Sequence, residues 1–131
     1  MKRDFIVIDD NKLDCYIAEK IISNTGMSEH IQLFSDARQA LEYITNNTCL
    51  NITGQTVITL DIQMPLMNGF EFIEAFELLP PEVQDRYVIF LLSSSINDVD
   101  VNRVQNYRSV KHLLNKPLTI TRMCSLIEQL S

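Results

Sequence analysis

Four polar clusters in this 131-residue chain carry groups able to do chemistry together: Asp9-Asp10, Asp61, Ser93-Ser94-Ser95 and Lys116-Pro117. Three carboxylates brought within a few ångströms repel one another, and one takes up a proton unless a cation sits among them. Carboxylate oxygens with no His or Cys pattern nearby suit a hard cation, with Mg²⁺ the default inside a cell and Mn²⁺ its alternative. A lysine and a hydroxyl facing such a cluster make a cavity matched to a phosphoryl group, because cation and ammonium neutralise its oxygens and the hydroxyl donates a hydrogen bond. Asp61 is then the natural nucleophile, since metal and lysine stabilise the transferring charge and offset the weakness of a carboxylate as attacking group. Taken singly, each cluster has a plainer reading: a helix cap or turn, a strand end, a solvated surface charge. Their joint placement carries the argument.

That placement comes from five short apolar runs: Phe5 to Ile8, Ile31 to Phe34, Val57 to Leu60, Tyr87 to Leu92 and Val110 to Leu114. The first, third and fourth are nearly continuous, the pattern of strands buried on both faces of a parallel sheet. Stretches with helical spacing lie between and after them: Leu13, Ile17 and Ile21; Ala37, Ala40, Leu41 and Ile44; Phe72, Ile73, Phe76 and Leu79; Ile120, Met123, Ile127 and Leu130. Asp36 and Thr119 are expected N-caps. Only Val99, Val104 and Tyr107 mark a helix after the fourth strand, a thin stripe that leaves exposed faces free for function. Pro80-Pro81 stops the third helix, Glu82 to Arg86 leads into the fourth strand, and Asn46 to Gln55 reads as a surface loop. Repeated β-α units imply an α/β fold, an open parallel sheet with right-handed crossovers and helices on both faces. Ligands of such a sheet bind outside the carboxyl ends of its strands, where all four polar clusters fall.

Composition bounds the rest. Eleven Lys plus Arg against seventeen Asp plus Glu leave a net charge of −6, which argues against nucleic acid and anionic membranes as partners. The length, with 46% hydrophobic residues, is that of one domain over residues 1–131. Cys15, Cys49 and Cys124 form neither a disulfide framework nor a zinc spacing, and Phe5 to Ile8 is too short for a signal or membrane segment, so a cytoplasmic location is expected. The phenylalanines at 70, 72 and 76 are expected in the core, and Cys15 and Cys124 as small apolar fillers. His30 and His112 match no metal or triad pattern.

The chain resembles the receiver domains of two-component response regulators, on Ile6-Val-Ile-Asp-Asp-Asn11, Leu60-Asp-Ile-Gln-Met-Pro-Leu-Met-Asn-Gly-Phe-Glu-Phe72, Phe90-Leu-Leu-Ser-Ser-Ser95 and Asn115-Lys-Pro-Leu118. The second stretch is the most specific, with Asp61, Met64-Pro65 and Asn68-Gly69 spaced as in the phosphoacceptor loop of that family. The resemblance implies a flavodoxin-like (βα)5 fold with strand order 2-1-3-4-5. It implies that Asp61 accepts a phosphoryl group from the phosphohistidine of a sensor histidine kinase or a phosphotransfer protein. Asp9, Asp10, Asp61 and the Gln63 backbone carbonyl would hold Mg²⁺, Ser93 and Lys116 would contact phosphoryl oxygens, and the Lys116-Pro117 bond would be cis.

Among the three hydroxyls, Ser93 is preferred because it directly follows the strand, with Ser94 at the small-residue position that keeps the pocket open. Met64, Pro65, Gly69 and Pro117 would support the loops, while Gln63 and Ser95 would flank the path of hydrolytic water and tune its rate. One position departs from the family pattern: Leu113 stands three residues before the lysine, where many receivers place Tyr or Phe as an inward-swinging switch. Output is expected through the surface of the helix after the fourth strand, the fifth strand and the last helix, read by another protein, with no output domain and with the chain a monomer or a weak phosphorylation-dependent dimer. Two other readings stay open: a pseudo-receiver that binds partners constitutively, and a small metal-dependent phosphatase. A phosphatase of the haloacid dehalogenase type would want an acid where Gln63 stands, so no enzymatic turnover beyond self-phosphorylation and autodephosphorylation is expected.

Overall fold

In a computed structural model describing residues 2–47 and 55–130, the elements run Arg3–Ile8 (β1), Lys12–Asn24 (α1), Ser28–Phe34 (β2), Ala37–Asn46 (α2), Thr56–Asp61 (β3), Gly69–Phe76 (α3), Pro81–Gln84 (α4), Tyr87–Ser93 (β4), Asp98–Val104 (α5), Val110–Asn115 (β5) and Ile120–Glu128 (α6). The strands form one parallel sheet in the order β2-β1-β3-β4-β5. This is the open parallel sheet expected from the sequence pattern, in the flavodoxin-like strand order that the receiver-domain resemblance implies. Most of the loop expected over Asn46 to Gln55, with Gly54 and Cys49, lies outside the described residues.

The period of two along each strand divides the core between the faces. Ile6, Ile8, Ile58, Leu60, Ile89 and Leu91 meet Ala40, Ile44, Phe72 and Phe76 of α2 and α3. Phe5, Val7, Val57, Phe90 and Leu92 meet Cys15, Ala18, Ile22, Met123 and Ile127 of α1 and α6. Burying one such Ile or Phe stabilises the fold by about 1.5–3 kcal/mol, which is why the central strands, β3 and β4, are buried along their whole length. Phe70, Phe72 and Phe76 are buried, as expected.

Several sequence expectations need correction. The stripe Leu13, Ile17, Ile21 does not face the sheet: Leu13 is 65% and Ile17 40% exposed, and α1 docks through Cys15, Ala18 and Ile22. Cys15 and Ala18 are small and let the helix lie close to the strands, while Ile21 packs at the margin. The stretch before β4 is not merely a connector. Pro81 opens the one-turn helix α4, and the buried Gln84 amide donates to the carbonyls of Glu77 (3.0 Å) and Leu79 (2.7 Å) behind α3. Asp36 and Thr119 cap α2 and α6 as expected. On α6 the buried set is Met123, Leu126 and Ile127, with Ile120 exposed and Leu130 past the helix end.

Helix α5 buries no residue. It is tied to α3 from its surface: the Arg103 guanidinium lies 4.2 Å from the Phe70 ring centre, and the Tyr107 hydroxyl donates to Glu74 Oε2 at 2.6 Å. Of its expected stripe, Val104 and Tyr107 pack on the core margin and Val99 points to solvent.

Candidate functional site

All five parallel strands end at one edge of the sheet, and the site is assembled from those ends. Leaving β1, Asp9 is fixed by its backbone N–H donating to Phe34 O (3.0 Å) and by its carboxylate accepting from Asn11 N (3.0 Å). Asp9 is buried and Asp10 is exposed. Asp61 is the last residue of β3, in register with Leu92, and is also buried. One carboxylate oxygen from each of Asp9, Asp10 and Asp61 lies within 4.8 Å of the other two. Such an all-oxygen set fits a hard divalent cation.

The loop after β3 is held by a tight backbone approach. Gly69 N donates to Ile62 O at 2.8 Å, and a side chain on Gly69 would place its Cβ 2.8 Å from Asp61 O and 2.9 Å from Ile62 Cα. Only glycine fits there. A capping box between Asn68 and Glu71 opens α3 just behind. Met64 and Met67 pack on the core margin, Gln63 and Pro65 are exposed, and Leu66 takes a left-handed conformation (φ 69°) under a 2.7 Å Met67 N to Pro65 O bond.

Of the three serines, Ser93 is buried inside the end of β4, and its Oγ accepts from Ser95 N at 3.0 Å; Ser94 and Ser95 are exposed. Ser93 O accepts from Lys116 N at 2.9 Å, which joins the ends of β4 and β5. The Lys116-Pro117 bond is cis. Leu113 is half-buried against the core face shared with α3, opposite Leu91 in register.

The Lys116 ammonium reaches three carboxylates: Asp9 Oδ2 at 2.8 Å, Asp14 Oδ2 at 3.0 Å and Asp61 Oδ1 at 3.4 Å. Burial alone pulls this lysine down. Hydrogen bonds to Asp9 and Asp14, with the charge of Asp61, more than offset burial and hold its pKa above the usual lysine range. The Asp61 carboxyl is pushed up to about 6 by burial first and by the Asp9 charge next, with Lys116 opposing. A raised carboxyl in an acidic cleft is the electrostatic mark of a site that wants a cation or a charge-bearing partner. Cys15 lies against the same site, its Sγ donating to Asp9 O at 3.0 Å; burial, and then the Asp9 charge, push the thiol up to about 11.

The structure thus brings Asp9, Asp10, Asp61, Ser93 and Lys116 to one edge, with Gly69 behind Asp61 and Gln63, Met64, Pro65, Ser94, Ser95 and Pro117 on the surrounding loops. Sequence reasoning missed Asp14. Asp14 lies in the first turn of α1, its N–H donating to the Asn11 N-cap at 3.0 Å, and nothing in that local pattern sets it apart; the fold alone brings it to Lys116.

The response regulator receiver domain family matches residues 5–128, and the chain belongs to that family. It is similar to a response regulator receiver protein from Dyadobacter fermentans DSM 18053, at 31% identity and a TM-score of 0.85 over 97% of this chain and 96% of that one. It is also similar to a two component response regulator from Cytophaga hutchinsonii, at 26% identity and a TM-score of 0.88 over 99% and 98% of the two chains. A protein-glutamate methylesterase/protein-glutamine glutaminase from Dechloromonas aromatica (strain RCB) is 32% identical over 81 residues, 62% of this chain. The chain spans about a fifth (21%) of the length of the curated relatives it matches. Among the described residues no helix is long and apolar enough to cross a membrane.

Proposed function

We propose that the protein is a phosphorylation switch of a two-component phosphorelay, charged at Asp61. The observation that carries this reading is the convergence of the Asp9, Asp10 and Asp61 carboxylates with the Lys116 ammonium, 3.4 Å from Asp61, at the carboxyl end of a parallel sheet. A carboxylate oxygen of Asp61 forms the new bond to phosphorus, while the bond from phosphorus to the imidazole nitrogen of a donor histidine breaks. The donor belongs to a sensor histidine kinase or a phosphotransfer protein.

Asp9, Asp10, Asp61 and the Gln63 carbonyl would hold Mg²⁺, which when bound neutralises charge on the transferring oxygens. Lys116 supplies a second positive group at the same oxygens, and Ser93, buried at the end of β4, supplies a hydroxyl donor. Gly69 keeps the phosphoacceptor loop seated, and exposed Gln63 and Ser95 stand at the rim where water enters. A shift of Ser93 would pull the loop that leads to α5. That helix has no fully buried residue, is held to α3 at its surface and rests on the core margin through Val104, so it can move without breaking the core, which supports output to a protein partner through α5, β5 and α6.

The test is incubation with acetyl phosphate and Mg²⁺ followed by intact-protein mass spectrometry. A single phosphoryl adduct that is lost in Asp61→Asn and in EDTA is expected. No adduct on the wild-type chain, with or without a purified donor, overturns the switch in favour of a constitutive binding module. Steady release of phosphate from small phosphoesters would overturn it in favour of a phosphatase.

A further inference from the structure

Asp14 is the one member of the charged cluster for which the proposed reaction has no task. Its carboxylate is a second anchor for Lys116, at 3.0 Å, closer than Asp61 at 3.4 Å. An ammonium has three N–H donors, and the two short bonds here go to Asp9 and Asp14. The phosphoacceptor receives only the longest of the three contacts. Asp9 belongs to the cation-holding set, so a bound cation would compete for its oxygens, whereas Asp14 stands outside that set and keeps its hold on the lysine. Its position is built in: it lies in the first turn of α1, with Asn11 fixing its N–H. Its side chain is 38% exposed, so the pair is screened by water and can be exchanged at little cost.

We propose that Asp14 is a positioning residue, a latch that holds the Lys116 ammonium back from Asp61 in the unmodified chain and competes with the phosphoryl group for it. The inference rests on the reading of Asp61 as phosphoacceptor. Phosphoryl oxygens on Asp61 must draw Lys116 off Asp14, so the latch weakens the hold on the phosphoryl group and favours its loss.

Beryllofluoride with excess Mg²⁺ is the probe, because it occupies the phosphoryl position without turnover. The chain has no tryptophan, so binding is read by ¹⁹F NMR or calorimetry. Asp14→Asn, which keeps the side-chain shape, is expected to bind beryllofluoride about two- to fivefold more tightly than wild type. Glu19→Gln, a charge removal on the same helix with no contact to Lys116, is expected to leave the affinity near wild type. Unchanged or weaker binding by Asp14→Asn, or an equal gain in Glu19→Gln, overturns the latch and leaves the phosphoacceptor reading intact. Failure of the wild-type chain to bind beryllofluoride overturns the phosphoacceptor reading instead. A crystal structure of Asp14→Asn tests the geometry independently of that reading: Lys116 Nζ is expected to close on Asp61 from 3.4 Å, and an unmoved ammonium overturns the latch. Circular dichroism establishes that each variant is folded.

Discussion

Replacing Asp61 by asparagine in the metal-free protein is expected to raise stability, although it removes the central residue of the site. The Asp61 side chain is only 11% exposed. Its carboxyl is held at about 6 against an ordinary 3.8, first by burial and then by the charge of Asp9, with Lys116 pulling the other way. Keeping that group ionised therefore costs the folded state about 3 kcal/mol relative to the unfolded chain. Asparagine has the shape of the neutral acid without the charge. Relaxation of the site and entry of water reduce the benefit, so the expected gain for Asp61→Asn is about 1–3 kcal/mol, or about 3–10 °C in melting temperature.

The sign follows from linkage. Below 3.8 both states hold the proton and the wild type suffers no penalty. Between 3.8 and about 6 the unfolded chain ionises first, so wild-type stability falls as pH rises, and above about 6 the penalty is complete. Thermal or urea unfolding in EDTA at about pH 8 and about pH 4.5 measures both ends. The variant is expected to lead clearly at the alkaline end and to lose most of that lead at the acid end. Excess Mg²⁺ is expected to reverse the order, because the cation stabilises the chain that offers it three carboxylates. A variant no more stable than wild type at about pH 8 in EDTA, or a lead that does not shrink with acid, would refute the picture of Asp61 ionised against Asp9 in a partly dry site.

Gly69→Ala is expected to destabilise the protein by about 1–3 kcal/mol in urea unfolding, because the new Cβ meets backbone atoms of Asp61 and Ile62 that no rotamer can clear. Cys15 is expected to resist iodoacetamide in the native protein and to react on unfolding, since its thiol is buried and pushed up to about 11; peptide mapping against the half-buried Cys124 measures the contrast. His112 stacks edge-on against Phe90 with its Nε2 buried and unpartnered among the described residues, and burial, followed by the charges of Lys111 and Arg122, holds its pKa below the ordinary 6.5. Stability from its neutral form is present above 6.5 and lost as pH falls below it, so the stability of His112→Phe relative to wild type is expected to rise between about pH 7 and pH 5; a constant difference would refute it.

What the sequence made legible and what it hid follow from the range of the forces involved. The central strands could be read directly, because burial on both faces makes every residue from Val57 to Leu60 and from Tyr87 to Leu92 answer to the core. The polar clusters could be read because topology alone sends the ends of parallel strands to one edge, whatever the side chains do. The face of α1 could not: Leu13, Tyr16, Ile17, Ile21 and Ile22 ring the helix, and the choice among them falls to Cys15 and Ala18, whose merit is small volume rather than hydrophobicity. The one-turn α4 is too short to show a period, and what fixes it is the bonding of Gln84 back to the Glu77 and Leu79 carbonyls just past the end of α3. Asp14 is the sharpest case. Its own neighbourhood marks it as an ordinary acidic residue in the first turn of a helix, favourable there through the helix dipole. Its second partner, Lys116, is 102 positions away and reaches it only because β5 lies across the sheet with its end beside that of β4. A local pattern identifies groups that the fold must bring together, but the competition among those groups for one ammonium is decided by differences of a few tenths of an ångström that only the assembled site contains.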